Sequence, residues 1–209
     1  MAVKKEYDVV VIGAGPAGMA AAIVAARAGA TVTLLDEQHS LGGQIYRGVT
    51  TANARRSQFL GNDYLAGQTL TSALAETSVE HIAGATVWGA DSDGHVTYSR
   101  ADAAHQIRGR NLIIATGALE RPMPIPGWTL PGVITAGAAQ ILLKSAGLVS
   151  DNAVLVGSGP LLYLLAAQMI AAGAPPRALV ETQTRSDTRA ALRHIGGAMR
   201  GWRNLHKGL

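Results

Sequence analysis

Gly13, Gly15 and Gly18 follow a G-x-G-x-x-G spacing, after the apolar run Asp8-Val-Val-Val-Ile12 and before an Ala-rich segment. Each glycine has its own reason to be there. Gly13 permits a tight strand-to-helix turn. Gly15 lacks the side chain that would hold a pyrophosphate off the backbone, and Gly18 lets the helix pack closely on the sheet. Pro16 and Ala17 open the helix, whose free N–H groups and positive dipole end face the phosphates, and Ala14 completes the turn. Asp36 stands eighteen residues past Gly18, at the end of the next strand, where a carboxylate can accept hydrogen bonds from ribose hydroxyls. Glu37 could share or replace that role. Strand, glycine turn, helix, strand and acid together point to dinucleotide binding, against the plainer reading of a structural turn.

A second turn reads Gly157-Ser-Gly-Pro-Leu-Leu162, with Leu162 in place of the third glycine and Glu181 at the end of the following strand. A leucine there pushes the helix outward and narrows the phosphate notch. Two readings stand side by side: a nicotinamide-nucleotide site on Gly157, Gly159 and Glu181, or a pseudo-site that keeps only the fold. Acid–base candidates are poor. His39, His81, His95, His105, His194 and His206 are scattered, without metal-ligand spacing, and read as surface or turn histidines, so no metal is expected. No Gly-x-Ser-x-Gly or phosphate-loop lysine motif is present. The chemistry is therefore expected from a bound cofactor, with the protein supplying placement and electrostatics.

The elements needed to position these groups can be read along the chain. Tyr7 to Ile12 and Thr31 to Leu35 are strands around a helix from Pro16 to Ala28, which is a βαβ unit. Leu41 to Gln44 is a turn and Ser57 to Ala75 a helix. Val79 to Ile107 reads as three or four short strands in a small antiparallel meander, and Asn111 to Ala115 as a buried strand. Arg121 to Gly132 holds four prolines and two glycines and marks the best domain boundary. Thr135 to Ala146 is a helix. A second βαβ unit follows, with strands at Ala153 to Val156 and Ala178 to Glu181 and a helix from Pro160 to Ala172. The fold class is α/β: a Rossmann-like sheet with a small meander, and the first part of a second Rossmann-like domain. The expected divisions are residues 1–120, a connection and helix at 121–150, the start of the second domain at 151–182, and a basic helical tail at 183–209.

Composition narrows the function classes. The chain has 209 residues, 48% of them apolar, 15% charged and 4% aromatic, so it folds around a core of Ala, Val, Leu and Ile. It has no cysteine, which excludes disulfides, thiolate metal sites and a redox dithiol within this chain and makes a reducing cytoplasm the simpler setting. Asn152 to Pro176 carries no charge, but its glycine turn divides it into a buried strand, turn and helix rather than an integral membrane span. Beyond Thr182, Arg185, Arg189, Arg193, Arg200, Arg203 and Lys207 stand against Asp187 alone. The first three recur every four residues, as on a solvated helix face, and no aromatic platform joins them, so no nucleic-acid partner is expected.

These motifs resemble the two-dinucleotide-binding-domain flavoproteins, the group that includes the pyridine nucleotide–disulfide oxidoreductases. Asp8 to Gly18, Ile114-Ala-Thr-Gly117 and the turn at Gly157 stand in that family's order; its disulfide branch is excluded by the lack of cysteine. Leu41-Gly-Gly-Gln-Ile-Tyr-Arg47, Ala115-Thr-Gly-Ala-Leu-Glu-Arg-Pro122 and Gly127-Trp-Thr-Leu-Pro-Gly-Val133 are similar to the flavin subunits of opine oxidase and hydrogen cyanide synthase, with kinship to the sarcosine oxidase alpha chain. The resemblance implies FAD, with its pyrophosphate on Gly13, Gly15 and Gly18 and its ribose on Asp36. Gly43 and Gln44 would lie along the cofactor, Thr116 and Gly117 would close over it, and backbone at Val87 would meet the adenine. It further implies hydride transfer to flavin from the C–N bond of an amine, amino acid or opine. An NAD(P)H-dependent reductase feeding a partner, and a truncated non-catalytic nucleotide-binding module, are the alternatives. In this family the chain returns from the second nucleotide domain to finish the flavin domain. A longer or split protein, with a further segment or subunits completing the site, is therefore expected, in the cytoplasm or at a membrane through partners.

Overall fold

Val9 to Ile12 alternate sides of an extended strand, and both sides are covered. The computed structural model describes residues 5–52, 58–194 and 196–197, and the chain divides into two compact units, Met1–Arg121 and Pro122–Leu209. The first is built on a six-stranded sheet in the order β3-β2-β1-β6-β5-β4. Its strands are β1 (Glu6–Ile12), β2 (Val32–Asp36), β3 (Glu80–Ala83), β4 (Thr86–Ala90), β5 (His95–Arg100) and β6 (Ala103–Ile114), with helices α1 (Pro16–Arg27) and α2 (Asn62–Ala75). Val10, Ile12 and Leu35 enter one buried cluster with Val96, Tyr98 and Ile107. Val11 and Leu34 enter the other, against Met19, Ala22 and Ile23 of α1 and Leu74 of α2. This period of two is what a strand dictates when both faces are buried. Each such side chain contributes about 1.5–3 kcal/mol on leaving water, which fixes the strand ends where the site lies.

The first βαβ unit has the expected parallel pairing, Val9 to Ile12 opposite Val32 to Leu35. Three expectations need correction. The segment Glu80–Ala83 is not part of the meander: it pairs in parallel with Thr33 to Asp36 at the sheet edge, held by the Thr33 hydroxyl donating to the Glu80 carbonyl (3.0 Å). The last meander strand and the strand expected at Asn111 are one element, β6. Its first half runs antiparallel to β5 and its second half parallel to β1, so one strand joins meander to core. That second half is only part-buried, with Ile114 70% exposed. Lastly, the helix expected from Ser57 is interrupted at Gly61, whose φ of 80° no helix accommodates. Residues 58–60 are helical, α2 starts after the break, and Ser57 lies outside the described residues.

The second unit holds α3 (Ala136–Ala146), β7 (Val154–Gly157), α4 (Pro160–Ala171), β8 (Ala178–Glu181) and α5 (Arg185–Leu192). Thr135 caps α3 through its side chain and Gly147 ends it in the left-handed conformation. Strands β7 and β8 pair in parallel. Leu143 of α3 and Leu162, Leu165 and Met169 of α4 are buried, and Gln140 bonds Gln168 at 3.0 Å among them. The expectation of a buried strand is not met: Val154 and Val156 are each 53% exposed, and every residue of β8 is exposed. In α5 and at its end Arg189 and Arg193 are exposed, as a solvated face requires, while Arg200, Arg203 and Lys207 lie outside the described residues.

Candidate functional site

The carboxyl ends of β1, β2 and β6 converge on the first glycine turn. Gly13 has φ of +105°, and a Cβ there would lie 2.4 Å from the Ala115 carbonyl oxygen. A Cβ at Gly18 would lie 1.9 Å from the Gly13 carbonyl oxygen, so the helix can meet the turn only through a glycine. Gly15 is different. Its φ is −73°, open to any residue, and its Cβ would meet nothing nearer than the Gly43 Cα at 4.0 Å. Pro16 is the first helical residue, no side chain caps the helix, and the first-turn N–H groups of Ala17 and Gly18 lack partners within the helix. An uncapped helix start behind an open glycine is a cradle for a diphosphate.

The loop after β2 forms the facing wall. Gly42 donates its N–H to the Ala14 carbonyl (2.9 Å), and a Cβ at Gly43 would lie 2.8 Å from the Gly15 Cα, so the two glycine loops touch backbone to backbone. Gln44 is exposed and its amide donates to the Ala118 carbonyl (3.2 Å). That bond ties the loop to the segment after β6, where Thr116 and Gly117 are exposed and Gly117 has φ of +76°. Asp36 ends β2, and its carboxylate is already engaged: it accepts from the Ala14 N–H (2.5 Å) and the Gln38 N–H (2.7 Å). A carboxylate has about four acceptor positions, so Asp36 keeps capacity for hydroxyl donors while bracing the turn. Glu37 is exposed and accepts from the Gln38 amide (3.3 Å). Val87 reaches this neighbourhood through the β3–β4 turn, where Ala85 donates its N–H to the Asp36 carbonyl (2.8 Å), and a bulge follows at Val87. Motif reading passed over Gln38 and gave no role to Arg47, the last residue of the Leu41–Arg47 run; a 3.0 Å bond joins the two.

The second turn has other geometry. Gly157 has φ of +156° and Gly159 +89°, against +105° and −73° at Gly13 and Gly15. Leu162 is buried, with its Cδ1 3.9 Å from the position of a Gly157 Cβ. Glu181 lies opposite Gly157, and its carboxylate accepts a bond from the Tyr163 hydroxyl, which raises the tyrosine's pKa. The acid at the ribose position thus already has one partner on its own unit's helix.

Other polar groups gather away from both turns. Lys5 and the Tyr7 hydroxyl both bond Glu80, at the amino ends of the strands. His81, His95 and His105 stand in β3, β5 and β6, part-buried rather than on turns, and His206 lies outside the described residues. Burial holds His81 below the usual histidine range, against the pull of Asp36 and with the push of Arg100. Asp91, Asp93 and His95 bring ligand atoms within 4.8 Å, a grouping not expected from the sequence. The Asp91 carboxylate accepts the N–H groups of Asp93 (3.0 Å) and His95 (2.9 Å), which accounts for it as a turn. Among the described residues no helix is long and apolar enough to cross a membrane.

Residues 7–197 match the family described as pyridine nucleotide-disulphide oxidoreductase. The matching opine oxidase subunit of Agrobacterium tumefaciens is 47% identical over 198 residues, covering 90% of this chain and 39% of that protein. Hydrogen cyanide synthase subunit HcnB of Pseudomonas aeruginosa is 38% identical, covering 78% of this chain and 36% of that protein. The crystal structure of L-proline dehydrogenase from P. horikoshii aligns with a TM-score of 0.68 at 22% identity, over 87% of this chain and 36% of that one. The chain therefore spans about two fifths of the length of the curated relatives it matches.

Proposed function

The chain belongs to the pyridine nucleotide-disulphide oxidoreductase family, and we propose that its first unit is the diphosphate- and ribose-holding part of an FAD site in an amine-oxidising enzyme. The observation that carries this is the cradle at Gly15: an open glycine, an uncapped helix start behind it and the Gly43 backbone in front. Bound flavin would supply a hydride acceptor for the carbon of a C–N bond in an amine, amino acid or opine. The chain's own residues bind and orient. Gly13, Gly15 and Gly18 with Ala14, Pro16 and Ala17 seat the diphosphate, and Asp36, flanked by Glu37, takes the ribose. Backbone at Val87 meets the adenine, and Gly43, Gln44, Thr116 and Gly117 line the path toward the flavin. The substrate class is supported by relatives named opine oxidase and hydrogen cyanide synthase subunits at 47% and 38% identity. Both names describe subunits, and both proteins are more than twice as long as the matched region. We therefore assign the remaining flavin contacts and the substrate contacts to polypeptide beyond these 209 residues, on the same protein or a partner.

Titrating the purified chain with FAD tests the site. Flavin fluorescence that quenches and saturates as FAD is added is expected; no quenching in an excess of FAD would remove the proposal. A nicotinamide-fed reductase is the second reading. It is disfavoured by the buried Leu162 standing in place of the third glycine, with Tyr163 competing for Glu181. NADH added to the FAD-loaded chain is accordingly expected to leave the flavin oxidised, and rapid bleaching would favour the reductase.

A further inference from the structure

Arg47 is held on both sides. Its carbonyl accepts the Tyr64 hydroxyl of α2 (2.8 Å), so the backbone is fixed to the helix. Its side chain is half-buried; one terminal nitrogen donates to the Gln38 side-chain oxygen (3.0 Å), and Nε is sealed from solvent with no acceptor among the described residues. A guanidinium with a sealed, unpaired N–H costs stability relative to an apolar chain of similar length. Folding alone does not ask for it.

What the guanidinium does is set Gln38. A guanidinium only donates, so its bond selects which end of the Gln38 amide faces it. The oxygen turns to Arg47 and the NH₂ turns outward to Glu37 (3.3 Å). The same residue's backbone N–H donates to Asp36 (2.7 Å), its carbonyl accepts from Gly84 (3.3 Å), and the other Asp36 oxygen accepts from Ala14 in the glycine turn. One glutamine thus touches both acids at the ribose position, and Arg47 fixes that glutamine.

Resting on the reading of Asp36 as the ribose acceptor, we propose that Arg47 is a positioning residue for the adenosine half of the dinucleotide. It acts through Gln38, keeping the Asp36 and Glu37 carboxylates in register with the glycine turn. The stability lost at the unpaired Nε is offset by affinity for the ligand.

The test measures FAD and ADP affinity by calorimetry together with the ligand-free melting temperature. For Arg47→Met, both dissociation constants are expected to rise about tenfold, with the ligand-free melting temperature unchanged or higher. Arg47→Lys, which can still donate to Gln38, is expected to recover part of the loss. If Arg47→Met fails to fold, or loses affinity only in step with a lower melting temperature, the residue is structural and the proposal is overturned. Gln38→Ala tests the link without disturbing the buried guanidinium stem. It is expected to match the tenfold loss, with Arg47→Met adding little in that background. Additive losses, or unchanged affinity in either variant, overturn the proposal while leaving the FAD site intact. Wild-type protein that binds neither FAD nor ADP removes the site itself, and the proposal with it.

Discussion

A methyl group would have opposite consequences at Gly15 and Gly18, three residues apart on one turn. At Gly18 it would collide with the Gly13 carbonyl at 1.9 Å. Gly18→Ala is expected to destabilise the ligand-free protein by about 2–3 kcal/mol, a fall in melting temperature on the order of 10 °C. At Gly15 the backbone is ordinary and the nearest atom is 4.0 Å away. Gly15→Ala is expected to leave ligand-free stability within about 1 kcal/mol while weakening FAD at least about tenfold, because the methyl occupies the diphosphate's path. Thermal unfolding and FAD titration of both variants separate the two roles, and equal losses of stability would remove the distinction. These glycines were legible in the sequence because each answers a local backbone need that spacing records. Gln38 and Arg47 were not, since their partnership exists only once the loop after β2 has folded back. At Asp36 the residue type was legible, but its second task of bracing Ala14 was not.

Among the elements, β3 shows how a short strand finds its place. Glu-His-Ile-Ala has one large apolar side chain, Ile82, which is buried, flanked by groups that suit either a parallel edge or an antiparallel hairpin. Its partners decide: Lys5 and Tyr7 bond Glu80, and Thr33 bonds the Glu80 carbonyl. No periodicity in four residues could have reported that, nor the fusion of two expected strands into β6, where a continuous ladder crosses from an antiparallel to a parallel neighbour. The helical pattern after Gly61 masks the break in the sequence, although a glycine is where such a break belongs. At the sheet edge His81 is part-buried and its Nε2 has no partner among the described residues, which gives a pH dependence with a defined sign. Burial lowers the folded-state pKa below the ordinary 6.5, so the unfolded chain takes up the proton first. The contribution is complete above 6.5 and is lost as pH falls through the folded-state value. Asp8, Glu80 and Asp91 are held below their ordinary carboxylate values and titrate beneath this window. Urea midpoints at pH 7.5 and 5.5 are expected to fall for the wild type and to fall distinctly less for His81→Phe; equal falls would assign the dependence elsewhere.

At the scale of the whole molecule, both units leave large apolar side chains in water, and in the second unit they include the sheet itself. Met123, Leu130 and Val133 are 73%, 61% and 48% exposed, and Val154 and Val156 on β7 and Val180 on β8 stand about half in water. A parallel sheet normally has both faces covered, since its crossover helices lie there, and patches of this kind mark surfaces that another polypeptide covers. The sequence showed that these strands are apolar; burial depends on what is packed against them, and strand patterning only presupposes that neighbour. Relatives more than twice the matched length are consistent with further polypeptide covering this surface. The isolated chain is expected to bind a hydrophobic dye such as ANS and to associate as its concentration rises. Val154→Lys with Val156→Lys should return it toward monomer with its far-ultraviolet circular dichroism unchanged, because both side chains are already half in water. Co-expression with a separate polypeptide spanning the rest of the matching opine oxidase subunit should suppress dye binding and raise FAD retention together. Suppressed dye binding without a gain in flavin would show a cover that does not complete the site. A monomeric chain that ignores the dye would show that no further polypeptide is required to shield this surface.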